Sequence, residues 1–397
     1  MYTNSLVVKV ASRCNLNCTY CYVYNMGDES YKKQPKFMSE DVIQSLFLRI
    51  KNHCEKNKLE RFLIVFHGGE PLLTGISFYE KFIEIENKII NNSVKIDYSM
   101  QSNGVLLDRE TAKKLKELNI QVGISLDTTI LSNNQNRIFH NGKGAYKEII
   151  SGFDVLKEIY GSDYANCLSV IDTNQDVKEV YNHYKEIGVK NVHLLFQDFN
   201  YIGFNQNTVP KTGEWLIGIF DIWYNDKDEN KPNIRPLTDL IGLIFGFQKY
   251  SEIFGKGVND TLVVETDGSI ETVDTLKICG DGFTLDNLNV LHNEFDELYE
   301  SSELARKYYY GHENLCKSCQ NCIIEPVCGG GFIGHRFSDQ NGFNNPSIYC
   351  KEIVKLVCHL QNRILKDLPD DFIKNTNIEE LSYEEVIESI EGHCEVE

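Results

Sequence analysis

Three cysteines near the start of the chain carry the first sign of chemistry. They read Cys14-Asn-Leu-Asn-Cys18-Thr-Tyr-Cys21, a C-x3-C-x2-C spacing on one short loop. Three thiolates placed this way can each hold one iron of a [4Fe–4S] cube. No fourth cysteine stands nearby, so the fourth iron is left without a protein ligand. An open metal position is the mark of a catalytic site, as it is for zinc, whose structural sites complete four ligands. A zinc knuckle is the plain alternative, but such sites are commonly built from paired C-x2-C units, and this loop has three thiols.

A second run, Cys316-x2-Cys319-x2-Cys322-x5-Cys328, is followed by Cys350. The cysteine count is 13, an odd number, which does not suit a closed disulfide framework. The first residues, MYTNSLVVKVASRC, lack the charged head and long apolar stretch of a signal peptide. A cytoplasmic location is therefore expected, where thiols stay reduced and clustered cysteines bind metal or do catalysis. Cys54, Cys167, Cys358 and Cys394 are scattered and read as plain buried or surface thiols. The net charge of −18 argues against a nucleic-acid partner, because phosphate binding needs a basic surface. No run is long and apolar enough to predict a membrane span.

The elements that must position these cysteines alternate. Strands are predicted at Leu6–Ala11, Phe62–His67, Ile96–Gln101, Gln121–Leu126, Cys167–Asp172 and Val192–Gln197. Helical patterns lie between them, at Ser39–Lys56, Ser77–Asn91, Arg109–Leu118, Ala145–Ile159 and Val177–Ile187, with Ser39 a good N-cap. Six β–α units in series imply a parallel sheet with right-handed crossovers. The strands are rich in Val, Ile, Leu and Phe, as strands buried on both faces should be. A cysteine loop, not a dinucleotide fingerprint, follows the first strand. The expected fold is thus α/β, an open, partial (β/α)6 barrel over residues 1–225. A helix around Trp215–Tyr224 precedes a charged, Pro-containing stretch, Asn225–Pro236, that reads as a linker within a bridging region, 226–259. Residues 260–360 carry a hairpin-like piece with Asp267–Gly268 as its turn, then the second cysteine run; 361–397 read as an acidic helical tail.

The second strand runs into His67-Gly68-Gly69-Glu70-Pro71. Two glycines let a backbone approach a ligand closely, and Glu70 offers a carboxylate to an ammonium group. The third strand ends in Gln101-Ser102-Asn103-Gly104 and the fourth in Ser125-Leu126-Asp127, polar exits at the end of the sheet where barrel sites sit. Together with Tyr20 just before the third cysteine, these motifs resemble the radical S-adenosylmethionine (SAM) superfamily. That resemblance implies that the open iron chelates the amino and carboxylate groups of SAM, whose cleavage gives methionine and a 5′-deoxyadenosyl radical. It also implies an external electron donor such as flavodoxin or ferredoxin. It assigns Gly68, Gly69, Glu70 and Pro71 to the SAM amino group, and Ser102, Asn103, Ser125 and Asp127 to its ribose or carboxylate. Asn136, Arg137 and the Gly142–Gly144 loop match family positions too, with Arg137 a candidate for the carboxylate. For Ser102, Asn103, Ser125 and Asp127, turn capping is the bland alternative.

The C-terminal run resembles the SPASM-type iron–sulfur domain of enzymes that modify peptides and proteins. Cys319, Cys322, Cys328 and Cys350 fit the ligands of one auxiliary [4Fe–4S] cluster. Two further cysteines of the family pattern are replaced, by Val273 and Phe332, so one auxiliary cluster is expected. Cys279 and Cys316 stay unassigned as further candidate ligands. Asp274 matches a residue that serves as a base in sulfatase-maturing relatives; a turn or helix-cap aspartate is its alternative. The stretches Cys21–Tyr31, Glu271–Lys277, Cys328–Arg336 and Gly342–Cys350 are similar to radical SAM maturases that build three-residue cyclophanes in ribosomally made peptides.

The resemblance therefore implies a radical SAM oxidoreductase acting on a precursor peptide. A β-hydrogen would be abstracted two residues from an aromatic side chain, and the carbon radical would add to that ring. Asp274 or His335 would take the proton, with Arg336 a further candidate; pairing within the second domain is the alternative for His335 and Arg336. Thioether formation, epimerisation and formylglycine formation on a sulfatase are other outcomes of the same radical chemistry. A non-catalytic zinc or scaffold protein and an electron-transfer protein are the readings from other classes. No separate leader-binding domain is expected at the N-terminus, which leaves leader recognition to the barrel, the second domain, the tail or another protein.

Overall fold

The computed structural model describes residues 1–202, 209–248, 251–369, 371 and 378–391. The expected alternation is present. Strand β1 (Ser5–Ala11) leads to helix α1 (Glu40–Asn57), then β2 (Arg61–Gly68), α2 (Ile76–Ile90), β3 (Lys95–Ser102), α3 (Arg109–Glu117) and β4 (Ile120–Ser125). Next come α4 (Ile130–Asn136), α5 (Tyr146–Tyr160), β5 (Asn166–Val170), α6 (Val177–Ile187), β6 (Asn191–Leu195), α7 (Thr212–Asn225), β7 (Asn233–Ile234) and α8 (Arg235–Ile244). The remainder is β8 (Thr261–Val264), β9 (Ser269–Glu271), β10 (Leu288–Asn289), α9 (Phe295–Ser301), α10 (Glu303–Tyr309), α11 (Lys317–Gln320), α12 (Glu325–Cys328), α13 (Cys350–Leu365) and α14 (Tyr383–Glu391).

These elements form two compact units, neither of them contiguous. The first holds Met1–Val170, Gly188–Asn191 and Asp260–Tyr309; the second holds Ile171–Ile187, Val192–Asn259 and Tyr310–Glu397. Residues 260–309, expected with the second cysteine run in a contiguous domain 260–360, belong to the first unit instead.

In the first unit the strands run in the order β10-β9-β8-β1-β2-β3-β4-β5. All pairs from β8 through β1 to β5 are parallel, and β8–β9 and β9–β10 are antiparallel. Parallel neighbours need crossovers, which the helices supply. Strand β1 is central, and Leu6, Val8 and Val10 are fully buried, as its apolar run requires. Lys9 is buried in the same strand, at 2% exposure. Between sheet and helices, Phe66 packs its ring 5.0 Å from both Tyr79 and Phe82 and 5.4 Å from Tyr98. Burying each such ring stabilises the layer by about 1.5–3 kcal/mol. Ser39 is the N-cap of α1, its side chain accepting from the Val42 N–H. In the β8–β9 hairpin, Gly268 takes φ +88°, a conformation that only glycine adopts freely.

The second unit is helical. Pro236 opens α8 instead of lying in a linker: at a first helical turn its missing N–H costs nothing. The tail helix α14 is acidic on its exposed side but buries Val386 and Ile390, and its approach is fixed by Leu381 N–H donating to Asn362 on α13 at 2.8 Å. Cys394 lies outside the described residues. Among the described residues no helix is long and apolar enough to cross a membrane.

Candidate active site

The cysteine loop leaves the buried end of β1 and is pinned on both flanks. Ser12 N–H donates to Lys36 O at 3.0 Å, and the Arg13 guanidinium donates to Tyr31 O at 2.8 Å. Further on, Asn17 N–H donates to Ile138 O at 2.7 Å and Thr19 N–H to Asn136 O at 2.9 Å. Cys14, Cys18 and Cys21 are half-buried there. Burial pushes the Cys14 thiol up to about 12, with Glu70 and the other two thiols adding to it, and pushes Cys21 up to about 11. Thiolates in such a place need a cation to hold them charged.

Strand β2 delivers the Gly-Gly-Glu-Pro segment against this loop. Gly69 N–H donates to Ala11 O at 2.8 Å and Glu70 N–H to Arg13 O at 3.0 Å. A Cβ on Gly69 would stand 2.1 Å from the Tyr24 hydroxyl and 2.3 Å from Arg13 O; one on Gly68 would stand 2.1 Å from Ala11 O. Both positions require glycine because the two backbones touch. Glu70 is fully buried. Its Oε1 accepts from Leu72 N–H at 3.0 Å and the Ser102 hydroxyl at 2.8 Å, and its Oε2 accepts from Asn103 N–H at 2.8 Å. Burial nevertheless holds its pKa above the usual carboxylate range, against those hydrogen bonds. Pro71 opens a short 3-10 turn and its carbonyl accepts from the Tyr79 hydroxyl at 2.7 Å.

A second group gathers around Cys18. The Tyr20 hydroxyl stands 2.8 Å from each Asp127 oxygen and accepts from Arg137 at 2.8 Å. Arg137 Nε is buried without a hydrogen-bond partner among the described residues. Ser125 accepts from Gln101 Nε2 at 2.9 Å. The expected SAM residues thus fall in two groups beside one cysteine loop, Glu70–Ser102–Asn103 and Tyr20–Asp127–Arg137.

These residues fit the expected cofactors. Among the described residues no three His, Cys, Asp or Glu side chains meet at a distance that would hold a single ion. A cube does not ask for that, since each thiolate takes a different iron. Glu70, raised and buried, suits an ammonium; the unpartnered Arg137 Nε suits a carboxylate.

Asp274 sits in a buried charge network that the sequence reading did not anticipate. Its Oδ2 is 2.8 Å from Lys9 Nζ and accepts from the Tyr22 hydroxyl at 2.9 Å. Lys9 also lies 3.4 Å from Glu265, and Lys277 lies 3.0 Å from Glu265 and 3.2 Å from Glu271. Burial would raise the Asp274 carboxyl, but Lys9, His67 and the two hydrogen bonds outweigh it and hold it well below the usual range. The available signal was a lysine inside Val-Val-Lys-Val, a strand otherwise apolar on both faces. Cys279 is buried in this unit at the end of the 3-10 turn that Asp274 begins.

In the second unit, Cys316 caps α11, Cys319 lies within it, Cys322 follows, Cys328 ends α12 and Cys350 begins α13. Cys319 feels the charges of Cys316, Cys350 and Cys328, and Cys350 those of Cys328, Cys322 and Cys316, so all five thiols share one locality. Cys316 and Cys319 share a thiol hydrogen bond that pulls Cys316 down and pushes Cys319 up. Arg336, 1% exposed, donates to Gly311 O at 2.7 Å and Asn314 O at 3.1 Å, holding the approach to the cysteine run. His335 is ringed by Phe332 at 5.1 Å, Tyr349 at 5.0 Å and Phe196 at 6.4 Å. Burial pushes its pKa down to about 3, so it stays neutral.

Residues 8–183 match the model of the Radical SAM superfamily. The cysteine-type anaerobic sulfatase-maturating enzyme of Clostridium novyi is 28% identical over 373 residues, spanning 88% of this chain and 93% of that protein. The structure of native anSMEcpe with bound AdoMet aligns with a TM-score of 0.78 at 26% identity, covering 91% of this chain and 98% of that one. The same enzyme with AdoMet and the Cp18Cys peptide aligns at 0.77, with 26% identity and the same coverage. Fold, family match and likeness along most of the chain coincide, and the protein is a radical SAM enzyme, an oxidoreductase that works with S-adenosylmethionine and [4Fe–4S] iron.

Proposed function

We propose that this enzyme oxidises the β-carbon of one residue in a ribosomally made peptide, and that the outcome is a carbon–carbon bond from that carbon to an aromatic ring two residues away. The observation that carries the peptide as substrate class is the likeness, along 91% of the chain, to an enzyme solved with a bound peptide. Bound to the first unit, the cluster and SAM would supply a 5′-deoxyadenosyl radical as the hydrogen-atom acceptor. Cys14, Cys18 and Cys21 would hold three irons, Glu70 the SAM ammonium and Arg137 its carboxylate. Cys319, Cys322, Cys328 and Cys350 hold one auxiliary cluster, a one-electron acceptor. An electron donor of the flavodoxin or ferredoxin type and a cytoplasmic setting go with this chemistry.

A second reading, formylglycine formation on a sulfatase, is favoured by the same relatives. Against it stand Val273 and Phe332, at 5% and 4% exposure, which fill with apolar packing two positions where the SPASM pattern has cysteine.

The test uses synthetic peptides with one aromatic residue two positions from a β-deuterated residue, and separately the Cp18Cys peptide. Deuterium in 5′-deoxyadenosine, with a peptide lighter by two hydrogens, supports cross-linking. Loss of sulfur from the Cp18Cys cysteine supports the second reading. Deuterium taken up from heavy water at an unchanged peptide composition would mean epimerisation and overturn both.

A further inference from the structure

We infer that His67 is the proton acceptor of this reaction: its Nδ1 takes the proton that the substrate gives up as its carbon radical is oxidised, and Asp274 steadies the imidazolium that results. The inference rests on the β-carbon oxidation proposed above.

Three observations place His67. It is the last residue but one of β2, directly before Gly68-Gly69-Glu70, the residues assigned to SAM. In the parallel register it pairs with Lys9 of β1, so the two side chains leave the sheet on the same face. Lys9 in turn stands 2.8 Å from Asp274, and the histidine and aspartate act on each other electrostatically. The ring is half-buried, while Nδ1 itself is shut off from solvent and has no hydrogen-bond partner among the described residues. A buried polar atom left without a partner calls for an explanation, and a role in catalysis is one.

Asp274 is the poorer acceptor. Its Oδ2 already takes Lys9 and Tyr22, and its carboxyl is held low. The groups acting on His67 are Asp274 and Glu265, which favour the imidazolium, and Lys9, which opposes it. Burial outweighs them and holds the His67 pKa below its ordinary value.

The step balances for either outcome. One C–H bond is broken by hydrogen-atom transfer to the 5′-deoxyadenosyl radical. The substrate radical then loses one electron, to an acceptor of the iron–sulfur class, and one proton, to His67 in its Nε2–H tautomer. In cross-linking a C–C bond forms and the proton leaves the ring carbon; in thiol oxidation a C=S bond forms and the proton leaves sulfur.

The experiment compares wild type, H67A, H67Q and D274N as reconstituted full-length protein, with the peptides named above. The readout is modified peptide per 5′-deoxyadenosine. It is expected to fall about 100-fold in H67A and H67Q, with partial recovery of H67A by added imidazole and loss of the acidic limb of the pH profile. Wild-type product yield in H67Q across the neutral range would overturn the inference. If wild type modifies none of the peptides, the functional reading has failed, and His67 is judged separately by diethyl pyrocarbonate labelling at neutral pH. Labelling of His67 that bound SAM suppresses supports a neutral, accessible ring beside the SAM site. An unlabelled His67 overturns the inference.

Discussion

The Asn103 side-chain nitrogen stands 2.7 Å from Asn15 Oδ1 and 3.7 Å from the Cys14 sulfur, while the Asn103 backbone N–H donates to Glu70 at 2.8 Å. One residue at the end of β3 therefore ties the cysteine loop to the carboxylate assigned to SAM. Replacing it with alanine removes the side-chain ties and keeps the backbone one. N103A is expected to weaken SAM binding about tenfold, the equivalent of one hydrogen bond, in equilibrium dialysis of the reconstituted enzyme. Unchanged affinity would mean the side chain serves only the local turn, in which it also accepts from Val105 N–H.

Gly69 makes a sharper case. An added methyl group meets the Tyr24 hydroxyl and Arg13 O well inside van der Waals distance, and Arg13 adjoins Cys14. G69A is expected to push the loop from the strand, lowering iron retained at the first site and abolishing 5′-deoxyadenosine formation. Wild-type iron content and turnover in G69A would show that the loop can yield.

The buried charge network gives the fold a pH dependence of defined sign. Burial, with Glu265 adding and Lys277 opposing, pushes Glu271 up to about 7 from 4.5. Across that window the folded chain keeps a proton that the unfolded chain has released, so this group removes stability as pH rises. Asp274 is the opposite case: its stabilisation is present above its unfolded value of 3.8 and is lost as pH falls through its lower folded value. E271Q removes the first effect alone. Its thermal midpoint is expected above wild type at about pH 8 and close to it at about pH 4, where both states are protonated. Equal midpoints at both would mean that Glu271 ionises normally in the fold.

Five thiols share a locality that a four-ligand cluster would fill with one to spare. With Cys319, Cys322, Cys328 and Cys350 as ligands, C350A is expected to lose about four irons per chain and C316A to lose none. The reverse result would make Cys316 the ligand.

Much of this was legible in the sequence. Runs of Val, Ile, Leu and Phe put the six strand positions within a few residues of those observed, because strands buried on both faces have little freedom in composition. The loop of Cys14, Cys18 and Cys21 and the Gly68–Pro71 segment stand out by short-range spacing alone, and the structure brings the two together. The partners of Asp274 could not be read. Tyr22 and Lys9 lie more than 250 positions away, and only the parallel β8–β1 pairing brings the hairpin beside them. Pro236 was misread for a local reason: proline signals a break in general, yet at a first helical turn it begins a helix.

The central claim, two cluster sites of which the N-terminal one cleaves SAM, is tested most directly by anaerobic reconstitution of wild type and the Cys14/Cys18/Cys21 triple-alanine variant. Iron, sulfide and 5′-deoxyadenosine are measured together. The expected result is about eight irons falling to about four, with 5′-deoxyadenosine formation lost. Zinc in place of iron, or SAM cleavage that survives in the variant, would contradict it.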